Sequence, residues 1–177
     1  MSPGTLAPLV AVAVMLYGPY LWAWARKEPI GAYGLSLRCS RRALVESACA
    51  SVLTLVPLTV AVLVGWPSGT WPRDLPPAAV VAFASSGLVA AVSEEAFFRG
   101  WVQTMLSRFL RPALSIVTAS ALFAASHLLF RSDPFYLFTF FPGLVMGWLR
   151  QKHGDIAPAI LYHFLGNLWA IWFFPHP

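Results

Sequence analysis

Runs of apolar residues close to twenty long recur along the whole chain and limit what it can become. The first covers residues 6–25 and the second runs from Ala43 to Val64. A third starts near Ala78 and continues to the Arg111-Pro112 break, and residues 113–130, Phe135–Leu149 and Ile156–Phe174 follow. About twenty predominantly apolar residues are what a helix needs to cross a bilayer. Composition agrees, since 58% of residues are hydrophobic and only 11% charged, too few charges to coat a soluble globule. The chain therefore reads as an all-α, polytopic membrane bundle of about six transmembrane helices. It reads as a single integral membrane domain over residues 1–177, with two spans and a loop in 5–77 and a core carrying the chemistry in 78–174. No internal repeat or low-complexity tail interrupts it.

Charge orients the bundle. The net charge of +5 is read as loop lysines and arginines facing anionic lipid. No basic stretch is interleaved with aromatics in a polar context, so nucleic acid is not an expected partner. Arg26, Lys27, Arg38, Arg41 and Arg42 follow the first span, Arg108 and Arg111 the third, Arg150 and Lys152 the fifth. The other loops carry Arg73 and Arg131, each accompanied by an aspartate. Positive loops stay in the cytoplasm, so both termini are expected outside, a parity that six spans satisfy. "MSPGTLAPL" lacks the positive start of a cleavable signal, and the first run is taken as a retained span. Ten arginines against two lysines suit a GC-rich bacterial genome, hence a bacterial inner membrane. Cys39 and Cys49 are too few for a disulfide framework. The eight tryptophans read mostly as interfacial anchors.

Against this background "AVSEEAFFRGW" is anomalous. An ionisable side chain at mid-membrane costs on the order of 3 kcal/mol, so such residues face a cavity or a partner. Glu95 and Arg99 are four apart on one helical face and suit an ion pair. Glu94 is rotated about 100° away and is left for other work, such as that of a general base. "LFAASHLLF" places Phe123 and His127 four apart, ring against imidazole, and "AILYHFLGNLW" does the same for His163 and Asn167. The third and fourth runs meet at Arg111-Pro112, with Glu95 and His127 equally far from it. In an antiparallel hairpin both would lie roughly 24 Å from the turn. His163 is expected nearer the cytoplasmic side than the glutamates, and the face on which such a site opens is undecided. Taken singly, these residues have plainer uses. His127 suits helix packing, and His163 with Asn167 suits interhelical bonding. His153 and His176 belong to a loop and a terminus, and Phe97 and Phe98 to packing.

Together, "EEAFFR", "FAASH" and "HFLGN" resemble the three motifs of the CPBP intramembrane glutamic endopeptidases, the CAAX protease or Abi family: EExxxR, FxxxH and HxxxN. The resemblance covers roughly residues 78–174, and no motif position departs from it. It implies peptide hydrolysis by an activated water without a covalent intermediate or a cofactor. Glu94 would be the general base, His127 would hold the water, and His163 with Asn167 would stabilise the oxyanion. Glu95, Arg99 and Phe123 would support them. The implied substrate is a membrane-anchored protein or peptide cut near its C-terminus, as by CAAX proteases or by the myxosortases, which are thought to process C-terminal sorting signals. Two other readings stand beside it. Glu94, His127 and His163 would serve as three zinc ligands of a metalloprotease, although HExxH is missing. A non-catalytic scaffold, immunity factor or small transport component would use the same residues as interhelical glue.

Overall fold

Prolines and short polar residues mark where the helices begin. The Ser40 hydroxyl accepts from the Ala43 N–H at 3.2 Å and caps the helix that follows. Pro77 and Pro112 each occupy a first helical turn, where the missing N–H costs nothing. The computed structural model describes residues 3–66, 72–129 and 133–173, and all regular structure in them is helical. Six helices result: α1 (Pro3–Ala25), α2 (Arg41–Leu63), α3 (Pro77–Ser107), α4 (Pro112–His127), α5 (Phe140–His153) and α6 (Ala157–Phe173). Among the described residues, α2 and α3 are long and apolar enough to cross a membrane unaided.

Two boundaries differ from the apolar runs. The fourth helix stops at His127 rather than at residue 130. The fifth begins at Phe140, because Pro134–Thr139 form a tighter 3-10 turn. There the Asp133 carboxylate accepts from the Phe135 N–H at 2.8 Å. Pro142 then falls in the first turn of the fifth helix, where its missing N–H costs least. A third departure lies inside α3, where Ala96–Val102 wind as a π-helix. Such turns are rare and recur at functional sites.

The loops sort into the two ends that the charge pattern requires. At one end Arg108 Nη2 reaches Glu28 Oε2 at 2.6 Å, and Lys152 Nζ reaches Glu46 Oε2 at 2.8 Å. His153 also bonds Glu46, at 3.0 Å, and the Ile156 N–H donates to the Gly34 carbonyl at 2.9 Å. At the other end Arg73 closes α6, donating from Nε to the Ile171 carbonyl at 3.0 Å and from Nη2 to that of Ala170 at 2.6 Å. Trp66 and Phe135 meet there with ring centroids 6.1 Å apart. Arg131 and His176 lie outside the described residues.

α3 pairs extensively with α6, and α4 with α5. Phe98, Phe123, Met146, Leu149, Ala159 and Tyr162 form the main core cluster between them. The outside is apolar: Leu53 is 74% and Phe109 85% exposed, a surface made for hydrocarbon. Trp101 is half-buried and packs against Trp22 of α1 with ring centroids 5.7 Å apart. Cys39 and Cys49 are free thiols.

Candidate active site

The π-helical stretch of α3 begins beside the two glutamates. Glu95 and Arg99 are fully buried and pair, with Arg99 Nη1 3.4 Å from Glu95 Oε1. Arg99 also donates from Nη2 to the Gly143 carbonyl at 3.1 Å, and its guanidinium lies 4.4 Å from the centre of the Phe123 ring. Gln103 repeats the pattern four residues on, donating to the Gly147 carbonyl at 3.0 Å. Both glycines of "GLVMG" are needed for so close an approach. A Cβ on Gly147 would stand 2.8 Å from Ile116, and one on Gly143 3.2 Å from Arg99.

Glu95 has a second partner that helical spacing within α3 does not disclose. His163 Nδ1 sits 2.9 Å from Glu95 Oε1. A carboxylate only accepts, so Nδ1 carries the proton and the ring is fixed in orientation. Its other nitrogen, Nε2, then points toward Glu94 Oε2 at 3.7 Å. The neighbouring glutamates are thus separated by environment as well as by rotation. The Glu95 side chain has no exposed surface, whereas that of Glu94 keeps 24% of its own. His163 is therefore level with the glutamates, not displaced toward the cytoplasmic end as its distance from His153 suggested. The long α3 crosses α6 at a close approach, where a Cβ on Gly87 would come 3.1 Å from Asn167 Cβ.

His127 closes α4. Its Nδ1 donates to the Phe123 carbonyl at 2.9 Å, which in the neutral ring leaves the Nε2 lone pair for an outside donor. Phe123 stands edge-on to both imidazoles, 4.8 Å from His127 and 5.8 Å from His163. Tyr136, in the 3-10 turn, stacks on His127 at 6.1 Å. Nothing in the helical spacing pointed to Tyr136, because it reaches the site from a turn. Asn167 donates one amide hydrogen to the Gly87 carbonyl at 2.9 Å, which leaves the second available.

A cavity of about 790 Å³ gathers Phe123, His127, Tyr136, His163 and Asn167 into one wall. Glu94 is not part of that wall and reaches it through His163. Most of the remaining lining is apolar, from Leu55, Leu58 and Val62 of α2, Phe138 and Phe141 before and within α5, and Trp169 of α6. Among the described residues no hydrogen bond or ion pair links His127 to either glutamate, and no three His, Cys, Asp or Glu side chains converge as metal ligands.

The family model for type II CAAX prenyl endopeptidases, Rce1-like, matches residues 76–169, which hold all three motifs. The chain belongs to this family. No significant match to a curated protein or to a solved structure was found. Membership makes the chain a membrane endopeptidase of the CAAX type.

Proposed function

We propose that this endopeptidase hydrolyses a peptide bond of a membrane-anchored protein or peptide with a water activated by Glu94. The observation that carries this reading is the position of His163, bonded to buried Glu95 through Nδ1 and turned toward Glu94 through Nε2. Glu94 takes a proton from water as the water oxygen bonds to the scissile carbonyl carbon. His127 Nε2 accepts the other water hydrogen and orients the nucleophile. The carbonyl oxygen, now an oxyanion, receives hydrogen bonds from the spare Asn167 N–H and from Nε2–H of a His163 ring that carries protons on both nitrogens before the attack, the donors that a tetrahedral intermediate requires. Glu95 accepts from Nδ1–H of that ring throughout, and Arg99 holds Glu95 in place. The C–N bond then breaks, the proton on Glu94 passes to the departing nitrogen, and both enzyme and carboxylate return to their starting state.

The apolar cavity suits a substrate that brings its own hydrocarbon, whether a lipid modification or a hydrophobic segment near the C-terminus. Protein reconstituted in lipid and offered fluorogenic peptides with an apolar anchor should cleave them, and a chelator should leave the rate unchanged. Glu94→Ala cleaving as fast as the parent protein would overturn the assignment.

A further inference from the structure

The position of the cavity along the bundle, set beside the distribution of charge, says on which side of the membrane the substrate is met. α2, α4 and α5 line the cavity only from the halves that share one end, and α6 lines it from Tyr162 onward. α2 supplies Thr54 to Val62 near its C-terminal end, α4 supplies Phe123 and His127 from its last turns, and α6 supplies Tyr162 to Phe173. Trp66 beyond α2 and the 3-10 turn before α5 complete the rim. All of these lie at the end that Arg73 closes through the Ala170 and Ile171 carbonyls. The cationic residues of the other end, Arg26, Lys27, Arg38, Arg41, Arg42, Arg108, Arg111, Arg150 and Lys152, contribute nothing to the cavity wall. The contacts Glu28–Arg108 and Glu46–Lys152, with the bond between Ile156 and Gly34, hold those loops together at that end.

Loops rich in lysine and arginine remain in the cytoplasm. We infer that the catalytic cavity opens on the extracytoplasmic side, so that the substrate is an exported protein whose apolar anchor leaves its scissile bond at the outer face of the membrane. This rests on the proteolytic reading above for the word substrate, but the orientation stands without it. A protein carrying its lipid on the cytoplasmic leaflet would meet the cationic end, where the cavity wall does not reach.

Orientation and catalysis can be tested apart. In a Cys39→Ser/Cys49→Ser background, Asp74→Cys and Arg111→Cys place single thiols in exposed positions at opposite ends. Spheroplasts of a bacterial host expressing each variant are treated with a membrane-impermeant polyethylene glycol maleimide, with detergent-opened cells as the control in which both must label. Labelling of Asp74→Cys but not Arg111→Cys in intact spheroplasts is the expected result, and the reverse overturns the inference. In a second arm, one reporter domain is joined to one C-terminal apolar anchor and is either exported or kept in the cytoplasm. Cleavage of the exported form alone, lost with Glu94→Gln, is expected. Cleavage of the cytoplasmic form alone overturns the inference, whereas cleavage that survives Glu94→Gln sinks the proteolytic reading and leaves the orientation to the labelling.

Discussion

At the cationic end of the bundle, loops and helix ends are cross-linked by polar contacts, while the opposite half is held mainly by apolar packing around a void. Glu28 alone gathers bonds from Tyr33 and Arg108, and Tyr33 in turn accepts from Trp22 at 3.1 Å. Glu46 holds Arg42, Lys152 and His153. Around the cavity three groups keep capacity unspent: a spare amide hydrogen on Asn167, a free ring nitrogen on His127, a partly exposed carboxylate on Glu94. Two kinds of polar residue emerge from the difference. Those that fasten the fold bond mainly to one another, and those proposed to act on a ligand are held on one side only.

Substitutions should respect that division. The largest effect on turnover is expected from Glu94→Gln, which keeps shape but removes the base. Turnover should fall by on the order of 10³-fold with the thermal midpoint in detergent unchanged, as kinetics and melting of the same preparation would show. Arg99→Leu should instead strike the fold first. It removes one of the two partners of buried Glu95, leaving His163, and breaks the bond to Gly143, a loss of about 3–5 kcal/mol, read as a large fall in melting temperature. At the far end, Gly34→Ala tests fastening alone. Its φ of +64° disfavours a side chain, and a Cβ there would stand 2.6 Å from the Arg150 guanidinium. We expect a loss of about 1–3 kcal/mol with turnover per folded molecule intact; an equal loss of turnover would blur the division between the ends.

Glu28→Gln is expected to act least, and through pH. Bonds from Arg108, then Tyr33, hold the Glu28 carboxyl below its ordinary value of 4.5. A lowered carboxylate stabilises the fold above that ordinary value, and the stabilisation fades as pH falls through the lowered one. Melting curves of parent and variant should therefore differ at neutral pH and converge in acid. Parallel curves would remove Glu28 from the fastening set.

Much of this was legible in the chain because lipid makes local rules strict. Apolar length gave six helices, and Arg111-Pro112 marked the break between the third and the fourth. The hairpin argument from Arg111-Pro112 also survives in a concrete contact. Phe98 and Phe123, nearly equidistant from that turn, meet at 5.3 Å. What stayed hidden depends on which helices approach one another. The bond from His163 to Glu95 joins residues 68 apart in sequence, and the Arg99 and Gln103 bonds to glycine carbonyls leave no side-chain pattern on α5. The 3-10 turn that delivers Tyr136 sits within an apolar run indistinguishable by composition from helix. The π-helical stretch, likewise, follows from tertiary fit rather than from any residue that forbids an α-helix.

That widened stretch, Ala96–Val102, acts on the rotational phase of α3. Ahead of it the helix must show its carboxylates to α6; behind it the same helix must show Gln103 to α5. Rewinding these seven residues to ordinary pitch, with none removed, would turn everything upstream by about 100° relative to everything downstream. One of the two neighbours would then face the wrong side of α3, and Glu94 with Glu95 would swing toward the acyl chains.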